Sequence, residues 1–228
     1  LQAGGVAAER IALLTPGVDA ARFLPAWHRR GSRQEHSRNL LTVARLEQSK
    51  GVDTVLRALP LMLRKLPGLM YSIAGDGPDR PRLTALAASL GIGNNVRFLG
   101  RVSDADLDAA YAEADVFIMM SKPLAGGGVR EGVGIVFLEA MAAGLPVVGS
   151  RIGGTGDAIR EGINGLRLPP EDIEAVAESV VRLFENAGLR RSFGTEGRRL
   201  AEREFSLDDR ARRFADALHN LKSRPGKG

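Results

Sequence analysis

From residue 39 onward the sequence alternates short apolar runs, rich in β-branched residues, with longer stretches of helical period. This alternation constrains the fold more than any other feature. NLLTVA (39–44), LMYSIAG (69–75), VRFLG (96–100), DVFIMM (115–120) and PVVGS (146–150) read as strands, and helices are predicted between them at 51–66, 79–91, 103–114 and 133–144. The strands carry apolar residues at consecutive positions, so both of their faces must be covered. That predicts an α/β chain built on a doubly wound parallel sheet with helices on both faces. Beyond residue 168 no further strand is expected. Pro169 and Pro170 are expected to open a helix in which Ile173, Val176, Ala177, Val180, Leu183 and Phe184 make one apolar stripe ended by Gly188. Two more helices are predicted, at 189–204 and 206–222, before a frayed tail. Ahead of the sheet, IALLTPGVD reads as a strand-like run into a turn, and HRRGSRQEHSR as exposed loop. The expected division is therefore a lead-in at 1–38, a sheet domain at 39–204, and a C-terminal helix with a basic tail at 205–228.

Charge and composition narrow the function classes. The net charge is +5, yet residues 1–188 hold 21 basic and 21 acidic side chains, whereas residues 189–228 hold 11 and 6. The body is neutral and the excess is terminal, which argues against a cationic nucleic-acid channel. Two Tyr and one Trp offer little base stacking either. Zero Cys removes disulfides, thiolate metal sites and thiol nucleophiles, and suits a reducing cytoplasmic compartment. The three His, at 28, 36 and 219, lie near the two ends, so the central region has no material for a His metal cluster or a Ser/His/Asp relay. No run approaches eighteen apolar residues, and the start carries no secretory pattern. The chain does not begin with Met, which suggests the later part of a longer polypeptide.

In a doubly wound sheet ligands bind beyond the carboxyl ends of the strands, so the loops there hold the candidates. Arg45 and Lys50 leave the first strand five residues apart, an arrangement suited to holding a pyrophosphate between a guanidinium fork and a mobile ammonium. The same pair also reads as two solvated loop charges. Glu131 and Glu139 are separated by seven residues, with Gly132 and Gly134 at a predicted helix start, where backbone amides face an anion and a carboxylate can hold sugar hydroxyls. Acidic residues at a helix start also simply complement its dipole. Glu139 is the sharper case, because a carboxylate inside IVFLEAMAA needs a ligand or an Arg partner. Three weaker signals read as structure. GDGPD (75–79) is a tight turn lacking the third glycine of a dinucleotide fingerprint, Ser103 with Asp106 is a capping box, and GGTG (153–156) lacks the Lys of a P-loop.

Taken in order, TPGVDAARFLP, VARLEQSKGVDTVLRAL, IAGDGPDRPRL, VRFLGRVSDADL, EGVGIVFLEAMAAGLPVV, IGGTGDAI, EGINGLRLPP and REFSLDD resemble the retaining glycosyltransferases of family four. The likeness runs over about residues 11–207 and is to the C-terminal, donor-binding half of the GT-B architecture, a Rossmann-like domain followed by C-terminal helices. The resemblance implies that Arg45 and Lys50 bind the diphosphate of a UDP- or GDP-sugar. It also implies that Glu131 lies by the donor sugar near the anomeric carbon and that Glu139 holds the ribose. Main-chain groups around Arg101 and Val102 would meet the base, and the amides of Ile135 and Val136 phosphate oxygens, beside Gly132 and Gly134. No metal or other cofactor is implied. An N-terminal acceptor domain would be missing from this chain, so the isolated half is expected to transfer sugar weakly or not at all. Cell-surface polysaccharide and glycolipid synthesis, with peripheral contact at the inner membrane face, are what the family suggests. Val133 stands where the family usually has Phe, Asp157 where Glu is common, and PLAGGGVR precedes Glu131 as an insertion. The alternatives are a nucleotide-sugar binding module without turnover and a sugar-nucleotide epimerase of the same architecture.

Overall fold

The computed structural model describes residues 11, 14–30, 38–123 and 132–222. Its centre is a six-stranded sheet of β1 (Asn39–Val43), β2 (Met70–Ala74), β3 (Val96–Gly100), β4 (Val116–Met119), β5 (Val147–Ser150) and β6 (Gly165–Leu168). All neighbours pair in parallel, in the order β3-β2-β1-β4-β5-β6. The chain winds outward from β1 to β3 and then returns to lay β4 on the other side of β1, in the register Leu40↔Val116. The order therefore reverses between β1 and β4, the position at which open sheets of this kind bind ligands.

The consecutive apolar residues are explained by two helical layers. Leu40, Val116, Ile118 and Val148 face a core shared with α2 (Val52–Lys65), α3 (Arg80–Ser89) and α7 (Ile173–Glu185). Their chain neighbours Leu41, Phe117, Met119 and Val147 face a second core, shared with α4 (Asp104–Glu113), α5 (Ile135–Ala142) and α8 (Ala187–Glu204). β4 and β5 are buried along their whole length, while β3, at the edge, alternates. Each large side chain fully buried this way contributes about 1.5 to 3 kcal/mol.

Several boundaries differ from the sequence reading. A sixth strand, β6, precedes Pro169, and a one-turn helix α6 (Thr155–Ala158) follows β5. The Pro pair does not open α7. Asp172 does, its side chain accepting from the Ala175 amide at 2.9 Å. Nor does Gly188 end α7. Asn186 closes it and starts α8 at once by accepting from the Leu189 amide at 2.8 Å, so Gly188 lies inside α8. A side-chain cap satisfies donors that glycine leaves open.

The lead-in is also different. Residues 12 and 13 of the strand-like run lie outside the described residues, and a 3-10 turn (Ala20–Phe23) runs into α1 (Leu24–Arg30), which takes in the start of the expected loop. Val18 bridges to Ser206 and donates its amide to Phe205 at 2.7 Å, and Phe23 and Ala26 are buried in the second core. This segment is part of the body. The last helix, α9 (Leu207–Lys222), lies close to its predicted range, and the tail beyond it falls outside the described residues.

Candidate functional site

The loop leaving β1 carries Arg45 and Lys50. Arg45 is exposed, with Glu47 at 3.1 Å, and Lys50 closes a 3-10 turn (Gln48–Lys50) whose backbone bonds, Lys50 to Glu47 and Gly51 to Gln48, bend the chain into α2. This turn is pressed onto the end of β4. Gly51 has φ +62°, and a Cβ there would stand 1.6 Å from the Met120 carbonyl oxygen, so only glycine fits. The Lys122 amide donates to Ser49 at 2.7 Å. Its ammonium lies 3.0 Å from Asp53 and 3.2 Å from Glu171, while Arg82 grips Asp79 with two bonds of 2.6 and 2.7 Å and reaches Asp53 at 3.7 Å. The largely buried Lys122–Asp53 pair thus ties the chain after β4 to the first turn of α2, beside the Lys50 turn. The sequence reading passed over Asp53, Arg82 and Lys122, which look like ordinary surface charges until the loops are brought together.

α5 follows β4, the strand that lies beside β1. Gly134 is its N-cap, at φ +71° and ψ +91°, and makes no side-chain capping bond. The helix begins at Ile135, two residues later than the predicted start at 133. The Ile135 and Val136 amides belong to the first turn, where no intrahelical acceptor exists. Ile135 is half exposed, and Gly132 is exposed beside Val133, which is buried. The GGTG stretch packs here. A Cβ on Gly154 would come within 3.0 Å of the Gly132 backbone, so this glycine serves close approach. Glu131 lies outside the described residues.

Glu139, on α5, does have the partner that its apolar setting demands, but the partner is not an arginine. The Tyr111 hydroxyl, from α4, donates to Glu139 Oε2 at 2.8 Å, with the Val136 carbonyl at 3.4 Å. Arg22 acts on the carboxylate only through space and is itself bonded to Asp108 at 2.9 Å, with Asp104 at 3.3 Å. Burial raises the Glu139 pKa from the usual carboxylate range, and the Tyr111 bond and the Arg22 charge pull it partly back. Burial and the neighbouring carboxylate push the Tyr111 phenol well above its ordinary value, so the proton stays on the tyrosine and Tyr111 is the donor. The sequence signal for Tyr111 was slight: one of two tyrosines, inside a helix whose Ser103 cap had been recognised. That cap forms, with the Asp106 amide 3.2 Å from the Ser103 hydroxyl.

Arg101 and Val102 leave β3 on the far side of β2, Arg101 exposed and Val102 half-buried. The preceding Gly100 accepts the Gly75 amide at 2.8 Å, which ties GDGPD to this loop as a turn. Among the described residues no three His, Cys, Asp or Glu side chains are placed to hold a metal ion, and no helix is long and apolar enough to cross a membrane.

Comparison with known proteins decides the family. The model of the "Glycosyl transferases group 1" family matches residues 25–200. The chain belongs to the group 1 glycosyl transferases. It is 34% identical over 210 residues to the GDP-mannose-dependent alpha-(1-6)-phosphatidylinositol monomannoside mannosyltransferase of Mycobacterium tuberculosis, covering 90% of this chain and 54% of that one. It is also 34% identical over 218 residues to the D-inositol 3-phosphate glycosyltransferase of Salinispora tropica, covering 87% and 44% respectively. The chain thus spans about half the length of these curated relatives. Its fold matches Anabaena Alr3699/HepE, solved in complex with UDP, with a TM-score of 0.81 at 21% identity over 96% of this chain and 60% of that one. The fold is that of one Rossmann-like half of a GT-B glycosyl transferase.

Proposed function

We propose that this group 1 glycosyl transferase chain is the donor-binding half of a retaining enzyme that moves a hexosyl group from a GDP- or UDP-linked sugar to an acceptor. The observation that carries the reading is the strand order, which reverses between β1 and β4 and so brings the Arg45 and Lys50 loop and the chain entering the uncapped α5 N-terminus from the carboxyl ends of neighbouring strands. Two cations and a helix N-terminus make a site for a diphosphate. In this reading Arg45 and Lys50 neutralise the diphosphate, and the Ile135 and Val136 amides, reached past Gly132 and Gly134, bond its oxygens. Glu139 accepts from ribose hydroxyls, and the backbone at Arg101 and Val102 meets the base. Glu131 stands by the anomeric carbon. As the bond from that carbon to the diphosphate oxygen breaks, the charge gathering on the leaving oxygen is met by groups already in place, each charge-assisted contact contributing about 1.5 to 3 kcal/mol. The acceptor oxygen then bonds the anomeric carbon from the face the diphosphate leaves, which retains configuration. No metal ion is assigned a role.

The relatives named for GDP-mannose make it the first donor to test, and their lipid-linked acceptors support peripheral membrane contact by the complete enzyme. Acceptor binding is assigned to the half that this chain does not span. Titration calorimetry with GDP, UDP and ADP tests the reading: one nucleoside diphosphate should bind in preference to the others, GDP first. Failure of all three at concentrations on the order of 1 mM overturns it in favour of an interaction module without a donor site. Glu139→Ala should weaken nucleoside diphosphate binding about tenfold more than pyrophosphate binding, and equal losses would contradict the ribose role.

A further inference from the structure

We infer that Tyr111 is a positioning residue for the donor, its phenol aiming the Glu139 carboxylate at the ribose from beneath α5. The inference rests on the ribose role proposed above for Glu139. The Tyr111 ring is fully buried, edge-on to Phe23 at 5.5 Å and tilted against Phe117 at 6.2 Å. A phenylalanine would satisfy those contacts equally, so packing does not explain the hydroxyl. What the hydroxyl adds is a bond from one helix to another, from α4 to Oε2 of Glu139, at 2.8 Å. Glutamate has three side-chain torsions, and on an otherwise apolar helix no neighbour in its own turn offers a donor to fix them. Tyr111 supplies that donor from a rigid, buried ring. Glu139 Oε1 makes no hydrogen bond among the described residues, so one carboxylate oxygen is anchored and the other is presented. The same hydroxyl lies 3.4 Å from the carbonyl of Val136, whose amide is assigned to phosphate, so a single buried group lies beside both parts of α5 that the donor would touch.

The test compares a nucleoside diphosphate with its 2′,3′-dideoxy analogue on the 228-residue chain, using GDP and UDP in parallel. Wild type should prefer the natural ribose. Tyr111→Phe should reduce that preference about tenfold while pyrophosphate affinity stays near wild type. A Tyr111→Phe protein that keeps the full preference, while Glu139→Gln loses it, overturns the role of Tyr111 and leaves the ribose site standing. Equal losses for the natural and dideoxy ligands mean a purely structural tyrosine and overturn it as well. No preference in wild type removes the ribose role of Glu139 and this inference together. A second measurement needs no variant. The chain has only two tyrosines, and the other, Tyr71, is buried with its hydroxyl 2.8 Å from Thr42. With tyrosine labelled at Cζ, the nucleoside diphosphate should shift the Tyr111 carbon resonance, pyrophosphate should not, and Tyr71 serves as the reference. Matching shifts with both ligands contradict the inference.

Discussion

The two ends of α5 are built in opposite ways. Its first turn opens after Gly134 with no side chain bonded to its amides. Its last turn is closed by Arg198, a buried guanidinium from α8 that donates to the Ala142 carbonyl and, at 2.8 Å, to the Ala20 carbonyl, with its Nε on Glu202 at 2.6 Å. The same device recurs on α7, where Arg190 donates to the Leu183 carbonyl at 2.8 Å. Side chains cap the starts of α4, α7 and α8, whereas α2, α3, α5 and α6 begin without one, so the contrast that matters is between the two ends of α5 itself. The contrast also changes the meaning of the terminal charge. Arg190 and Arg198 belong to the basic excess after residue 188, yet they are taken up by backbone carbonyls, while Arg210 bonds Thr15 at 2.7 Å and lies over the Phe205 ring. These three arginines serve as internal scaffolding.

The comparison breaks most visibly at its closed end. Arg198→Leu leaves the Ala20 and Ala142 carbonyls unbonded in a packed interior and frees the lead-in segment from α5. We expect a loss of about 3 kcal/mol in denaturant stability, with nucleoside diphosphate affinity of the remaining folded protein changed by no more than about twofold. At the open end the pattern inverts. Gly134→Ala places a side chain at a φ of +71°, costing about 1 to 2 kcal/mol of stability, and should lower affinity for nucleoside diphosphate and pyrophosphate alike as the first amides are re-aimed. If both affinities survived Gly134→Ala, the α5 N-terminus would not be where the diphosphate sits.

What was legible in the sequence follows the same division. Five of the six strands and the helices between them could be read because two-sided burial writes consecutive apolar residues into each strand. β6 was missed because its GLRL carries only two apolar side chains, interrupted by Arg167, with its last two positions half-buried. Arg45, Lys50 and Glu139 could be singled out as candidates, the first two by their place after the first strand and the third by its apolar setting. Their supports could not. Tyr111 is 28 residues from Glu139, and Arg198 is 178 from Ala20. Nothing local marks a buried hydroxyl or guanidinium whose partner is supplied by tertiary contact. The sequence asked for a ligand or an Arg beside Glu139, and the donor the chain itself supplies is a tyrosine, because sequence spacing does not say which donor the neighbouring helix will present.

The smallest effect sharpens the comparison most, because it separates binding from folding at one residue. Burial raises the Glu139 pKa, so the carboxyl holds its proton more firmly in the folded chain than in the unfolded one. Its contribution to stability is therefore present below the unfolded carboxyl pKa and is lost as pH rises through the higher folded value. At neutral pH the ionised group is a net cost to the unliganded fold, reduced by its partial contact with solvent and by the Tyr111 bond. Glu139→Gln keeps an acceptor for Tyr111 and removes the titration. It should melt slightly above wild type at pH 7, and the gap should close as pH falls and the wild-type carboxyl protonates, while the preference for a natural ribose is lost throughout. Melts at pH 7 and pH 4 with matched calorimetry would check this. A gap that did not narrow on acidification would mean that the cost at this position is steric. A gap that narrowed would mark Glu139 as a charge kept against the interest of the fold, which is the expected signature of a group kept for its ligand.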